Sequence, residues 1–265
     1  MNNETLARYA LNEVIALTGS RKSNVGLDPT FRDSQEYKNM SPKERAKVDQ
    51  RVDKVWAFNK LLGSVSDAPQ PPFNAGPVDD HSLNEWVRIL RYNYQMSKRG
   101  VANCSQCAGL AYISIQDQLE GQRRSDRPNV DIVKLAPPGD HLFVVIGEKW
   151  PTEKREFEIG PNRRRQTYCV YPRKFAGTES GAGWSEDAWI VDPWIHVACR
   201  AREYPIQWYK AMIKWNRWRR QIYTDVTAAV NELGTWVPAS SWRFVVTRYH
   251  KLSLTFPTEG ARFSV

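Results

Sequence analysis

The stretch Gly139-Asp-His141-Leu-Phe-Val-Val-Ile-Gly147 sets a histidine directly before five consecutive apolar residues and closes on glycine. A short apolar run bounded by turn residues reads as a buried strand. Two other segments supply what would pack around it. Gly100-Val-Ala-Asn-Cys104-Ser-Gln-Cys-Ala-Gly-Leu-Ala-Tyr112 passes from a glycine-containing turn into an apolar helical stretch that opens at Cys104. Ala188-Trp-Ile-Val-Asp192-Pro-Trp194 is a second apolar strand that ends at Asp192 and is stopped by Pro193. Together these segments predict an α+β fold, with a helix carrying Cys104 packed on an antiparallel sheet carrying His141 and Asp192.

Each of the three polar residues has an ordinary alternative. A helix-start cysteine in an apolar context is, taken alone, a packed core thiol, and an aspartate before proline is a turn residue. Their joint order and local structure favour chemistry. A thiol with a pKa of about 8.5 is mostly protonated at neutral pH and needs help to become a nucleophile. A helix N-terminus offers positive dipole and backbone N–H groups, a histidine takes the proton, and an aspartate fixes the ring. His141 has three competitors, His81, His196 and His250. His81 reads as a helix-start residue, and the other two lack an adjacent long apolar strand.

At 265 residues, with 41% hydrophobic and 25% charged side chains, the chain has the composition of a globular protein with a sizeable core. No apolar run approaches bilayer length. The N-terminus, Met1-Asn-Asn-Glu-Thr, has neither a basic n-region nor an apolar h-region, so if the protein leaves its cell it is expected to do so by a route other than Sec, or as a piece of a longer chain. Four irregularly spaced cysteines, Cys104, Cys107, Cys169 and Cys199, do not read as a disulfide scaffold. Cys104-x-x-Cys107 with His196-x-x-Cys199 forms a zinc set on paper, but the spacing is uneven for zinc. Cys107 reads instead as a small buried residue one helical turn from Cys104, and no metal or cofactor is expected. The net charge of +9 is concentrated near the end: residues 201–265 carry 10 basic and 4 acidic side chains. Such a surface suits nucleic acid, an anionic membrane or an acidic protein, and charge alone does not choose among them.

Along the chain, helices are predicted over 4–18, closed by Gly19, and from Ser41-Pro-Lys-Glu44, a capping-box start, to about Leu62. The stretch 63–80 holds four prolines and two glycines and marks the boundary between a helical extension with its linker, 1–80, and a catalytic domain, 81–265. Helices over 82–96 and 104–120 follow, then a loop-like region over 121–140. Strands are expected near 142–147, 155–159, 166–171 and 188–192. The long basic stretch between His141 and Asp192 implies an inserted hairpin or loop. A helix over 208–232 places Trp208, Met212, Trp215, Ile222 and Val226 on one stripe, docked on the core or, less simply, facing a membrane or partner. A last strand over 242–247 is expected to join the same sheet.

At the three reactive segments the chain resembles the papain-like and transglutaminase-like superfamily of Cys-His-Asp enzymes, in particular bacterial effector and toxin domains. Ala102-Asn-Cys104-Ser-Gln-Cys-Ala108 is similar to the nucleophile pattern Gly-Asn-Cys-Gly-Glu-x-Ala; Asp140-His-Leu-Phe-Val-Val145 to Asp-His-x-Phe-Val-Val; and Ile190-Val-Asp192-Pro-Trp194 to Val-x-Asp-Pro-Trp. The resemblance covers about residues 82–195. It implies Cys104 as nucleophile, His141 as base and Asp192 as orienting acid, with Asn103, Ser105 and Trp194 toward the substrate. Ser105 and Gln106 replace the usual glycine and glutamate, and no glutamine stands close before Cys104 to match papain's oxyanion donor. The implied chemistry is acyl transfer on protein glutamine, by deamidation or transglutamination, with proteolysis as the alternative; a non-catalytic binding module using the basic tail is the alternative outside enzymes. The implied setting is secretion without a Sec signal, by a contact-dependent or type VI route, into the cytoplasm of a target cell. An acidic immunity protein is the expected partner besides the substrate, nucleic acid is not expected, and membrane contact by 208–232 is the lesser option.

Overall fold

A computed structural model describes residues 1–19, 25–27, 32–50, 80–97, 102–135, 141–149, 153–159, 164–170, 183–218, 220–224, 235–239 and 249–251. The architecture is α+β. Its centre is strand β3 (Leu142–Ile146), whose five residues are all buried, so both faces of the sheet are covered there. β3 lies between β2 (Val130–Leu135) and β6 (Trp189–Asp192), with β10 (Tyr249–Lys251) outside β2 and β7 (Val197–Arg200) outside β6. Every pairing in this five-stranded sheet is antiparallel. Val144 pairs with Val191, which puts the N-terminal end of β3 beside the C-terminal end of β6. His141 and Asp192 therefore come to the same edge of the sheet.

Helix α5 (Cys104–Leu119) lies against β2, β3 and β6, and is buried almost all round. Two helices cover it. α4 (Asp80–Ser97) packs closely because Gly109 of α5 leaves room for the Trp86 ring. α1 (Asn3–Thr18) is capped by Asn2, ends in left-handed Gly19, and buries Leu6, Ala7, Ala10 and Val14. Although expected in a helical extension, α1 packs on α5, β6 and β7 and belongs to the same core. The remaining N-terminal elements are β1 (Val25–Leu27), α2 (Gln35–Asn39) and a helix over 42–50, α3. The expected Ser41–Glu44 capping box starts α3: Ser41 N–H donates to Glu44 Oε2 at 2.9 Å and Glu44 N–H to Ser41 Oγ at 3.4 Å. Residues 51–62 and the proposed boundary over 63–80 lie outside the described residues.

The hairpin expected between His141 and Asp192 is present as β4 (Glu153–Ile159) paired with β5 (Arg164–Val170). Two expectations are corrected. The region 121–140 is not all loop: Val130-Asp-Ile-Val-Lys-Leu135 forms β2, held by five-residue pairing to β3 despite its charged flanks. The helix over 208–232 is replaced by α6 (Tyr204–Arg217), followed by β8 (Arg220–Thr224), which pairs with β1 and with β9 (Thr235–Pro238). The stripe survives in part, since Trp208, Met212 and Trp215 are buried on α6 and Ile222 is buried on β8. Residues 242–247 lie outside the described residues, while β10 joins the main sheet beside β2. Among the described residues no helix is long and apolar enough to cross a membrane.

A methyl group at Gly109 would stand 2.7 Å from a ring carbon of the buried Trp86. Overpacking of this kind costs about 1–3 kcal/mol, against about 1 kcal/mol gained from better helix propensity. Gly109→Ala is expected to lower unfolding free energy in urea by about 1 kcal/mol. A stability equal to or above wild type would contradict the close α4–α5 packing.

Candidate active site

The site is assembled from three starts and stops: the first residue of α5, the residue before β3 and the last residue of β6. Asn103 begins it. In extended conformation before the helix, its Oδ1 accepts from Gln106 N–H at 2.9 Å and from Ser105 Oγ–H at 2.8 Å. Gln106 returns the bond, with Oε1 accepting from Asn103 N–H at 3.0 Å, which completes a capping box. The same Oε1 accepts from the Tyr94 hydroxyl of α4 at 3.0 Å. Burial, with a smaller contribution from Cys107, pushes the Tyr94 phenol above its ordinary range, so it remains a neutral donor. Asn103 and Ser105, expected toward the substrate, are thus both engaged in the cap. The N–H groups of Cys104 and Ser105 precede the first intrahelical acceptor, as in any helix start.

His141 has no exposed surface. Its Nε2 lies 2.7 Å from Asp192 Oδ2, and since a carboxylate only accepts, Nε2 carries the proton. Asp192 is equally buried and its other oxygen is fixed locally. Oδ1 accepts from Trp194 N–H at 3.1 Å and Ile195 N–H at 3.3 Å. Pro193 has no N–H to compete and holds the chain in the turn. Oδ2 also accepts from the Tyr204 hydroxyl, at 2.7 Å. The imidazole is walled by rings: Trp194 at 4.6 Å and Trp208 at 4.9 Å between centroids, and Phe143 at 6.1 Å. Trp194, expected to line the substrate side, has almost no exposed surface and holds the histidine instead.

Burial alone would lower the imidazole pKa, but the charge and hydrogen bond of Asp192 outweigh it, with Cys104 adding as partner and as charge, and the result is a rise to about 9. Nδ1 itself completes no hydrogen bond among the described residues. The interaction with Cys104 at the start of α5 adds to the proton affinity of the ring. Cys104 is buried, with 8% of the residue exposed, beside the fully buried imidazole. The structure thus brings Cys104, His141 and Asp192 together. Cys107 and Cys199 are buried thiols outside any disulfide, and His196 is exposed in a turn with φ of 60°. Among the described residues no three His, Cys, Asp or Glu side chains are grouped to hold a metal.

Sequence inspection missed Tyr204 and the roles of Gln106 and Trp208. Asn103-x-x-Gln106 carried a visible capping-box pattern. Trp208 was legible only as a core residue, and nothing around Tyr204 distinguished it.

Because the folded-state pKa of His141 lies above its ordinary value of about 6.5, its protonation stabilises the fold fully below about pH 6.5 and this contribution is lost as pH rises through about 9. Urea midpoints should therefore fall between pH 6.5 and 9 in wild type, and the His141-dependent part of that fall should vanish in Asp192→Asn. Parallel pH profiles for the two proteins would contradict the coupling.

No family model matches this chain, and neither a curated protein nor a solved structure does so.

Proposed function

We propose that this protein is a cysteine-dependent acyl-transfer enzyme of papain-like or transglutaminase-like fold, acting on glutamine side chains of a protein substrate. One observation carries the proposal: a fully buried histidine, bonded through Nε2 to a buried aspartate, also interacts with a cysteine at a helix start. With its proton affinity raised, His141 holds the thiol proton on Nδ1, so that Cys104 acts as thiolate and its sulfur attacks the amide carbonyl. The oxyanion is met by N–H groups of the α5 start. The imidazolium returns the proton as the C–N bond breaks, leaving a thioester and ammonia. Water then gives glutamate and the restored thiol, which is deamidation; an amine gives a new amide, which is transglutamination. With a backbone amide as substrate the same steps are proteolysis, the alternative.

The resemblance to effector domains extends the proposal to a secreted bacterial toxin acting in a target cell's cytoplasm, neutralised by an acidic immunity protein. A second reading, a non-catalytic binding module, is favoured by the outer face of α6, where Lys210, Lys214 and Arg217 are exposed beside Ile206 and Tyr209.

Whole-proteome mass spectrometry of cells expressing wild type or Cys104→Ala separates these readings. Deamidation adds about 1 Da, joining an amine removes about 17 Da from the summed masses, and proteolysis cuts the chain. Cys104→Ala should abolish product and His141→Ala should be nearly as severe, because residues acting as one unit do not lose function additively. Asp192→Ala is expected to be milder, with a loss of up to about 10⁴-fold, and Cys107→Ala to keep most activity. Undiminished toxicity in Cys104→Ala would favour the binding module. Equal losses in Cys104→Ala and Cys107→Ala would end the thiol-catalysis reading.

A further inference from the structure

We propose that Tyr204 is a positioning residue for the His141–Asp192 pair: its phenol shares Asp192 Oδ2 with the imidazole and so sets how much of that oxygen's charge His141 receives. The proposal rests on the reading of His141 as the general base. The two oxygens of Asp192 are held differently. Oδ1 is occupied by two backbone N–H groups of its own turn, at 3.1 and 3.3 Å. Oδ2 is divided between two side chains, Nε2 of His141 and the hydroxyl of Tyr204, each at 2.7 Å. In a dry interior these bonds are strong and mutually dependent, so charge drawn to one donor is withdrawn from the other.

Tyr204 is itself fixed. It has no exposed surface and packs its ring on Phe143 at 4.6 Å and Trp208 at 6.2 Å. Removing the hydroxyl leaves that packing in place, so Tyr204→Phe isolates the hydrogen bond. The other polar groups around the pair are few. Cys104 approaches from α5, and Asp192 acts at a distance on Cys199 of β7, whose thiol is pushed up to about 12 by burial first, then by Glu203 and Asp192. That thiol stays neutral throughout the range in which His141 titrates. Among the described residues the rings of Phe143, Trp194 and Trp208 also lie against the imidazole.

The test is an NMR titration of His141 in the full chain, labelled with ¹⁵N in the imidazole and assigned by loss of its signal in His141→Gln. Wild type is compared with Tyr204→Phe and with protein carrying 3-fluorotyrosine at position 204, whose hydroxyl is the stronger donor. Tyr204→Phe returns charge to Nε2–H and should raise the proton affinity of His141 about threefold, or half a pKa unit. Fluorotyrosine should lower it. The pH dependence of Cys104 alkylation by iodoacetamide should move with each. A merely structural role would shift His141 down toward its ordinary value in Tyr204→Phe and leave it unmoved in the fluorotyrosine protein, which keeps both ring and hydroxyl. Unmoved midpoints, or shifts of the same sign in both, overturn the proposal. Fluorotyrosine keeps the test available if Tyr204→Phe does not fold. Because neither readout needs a substrate, their failure would overturn this inference and leave acyl transfer to its own test.

Discussion

Water gives up an ionised group only against a large opposing free energy, and here two ionisable side chains, His141 and Asp192, have no surface left in water. Such a pair persists when geometry is good and the leftover lone pairs and protons are also satisfied. The surroundings of Asp192 meet that condition: the Pro193 turn supplies two N–H donors, β3 delivers the imidazole and α6 delivers a phenol. The imidazole's remaining surface meets the rings of Trp194 and Trp208, whose electron-rich faces favour a cation. The antiparallel register of β3 with β6 brings the two side chains together, and α6 supplies the phenol that completes their surroundings.

The thiol end is built on a different principle. The position of Cys104 comes from the backbone. Asn103 and Gln106 close the helix start on itself, and Tyr94 anchors that start to α4. Further along, Gly109 lets the Trp86 ring come close enough to hold the two helices in register. Cys104 is thus carried by a closed helix cap, while His141 is held in a buried charge pair. The two meet at the edge where Cys104 retains a little exposed surface.

The parts legible in the sequence are those whose cause is local. Five apolar residues in a row after His141 can only be covered, and Pro193 must stop a strand and force a turn at Asp192. Cys104 was placed at a helix start by the glycine-containing turn before it and the apolar run after it. What escaped was set by distant neighbours. β2 contains Asp131 and Lys134 among its apolar residues and is a strand because β3 and β10 pair with it. The end of α6 at Arg217 has no glycine or proline to announce it, and Ile222 continues the helical stripe while lying in a strand that β1 and β9 pair on either side. Tyr204 is an unremarkable residue until folding sets it against Asp192, 12 positions earlier.

That α6 stands late in the chain has a consequence for the order of synthesis. Cys104, His141 and Asp192 all leave the ribosome before Tyr204 and Trp208, so the nascent polypeptide holds all three side chains before it holds the element that encloses His141. The contacts that close the site also reach back to the beginning, since α1 packs on β6 and β7 and Asn3 donates to the Asp187 carbonyl at 2.8 Å. Contacts of such sequence separation form late and slowly. Formation of the Cys104–His141–Asp192 cluster is therefore tied to completion of the tertiary fold, and a ribosome stalled before residue 204 would carry the three side chains without the assembly that couples them.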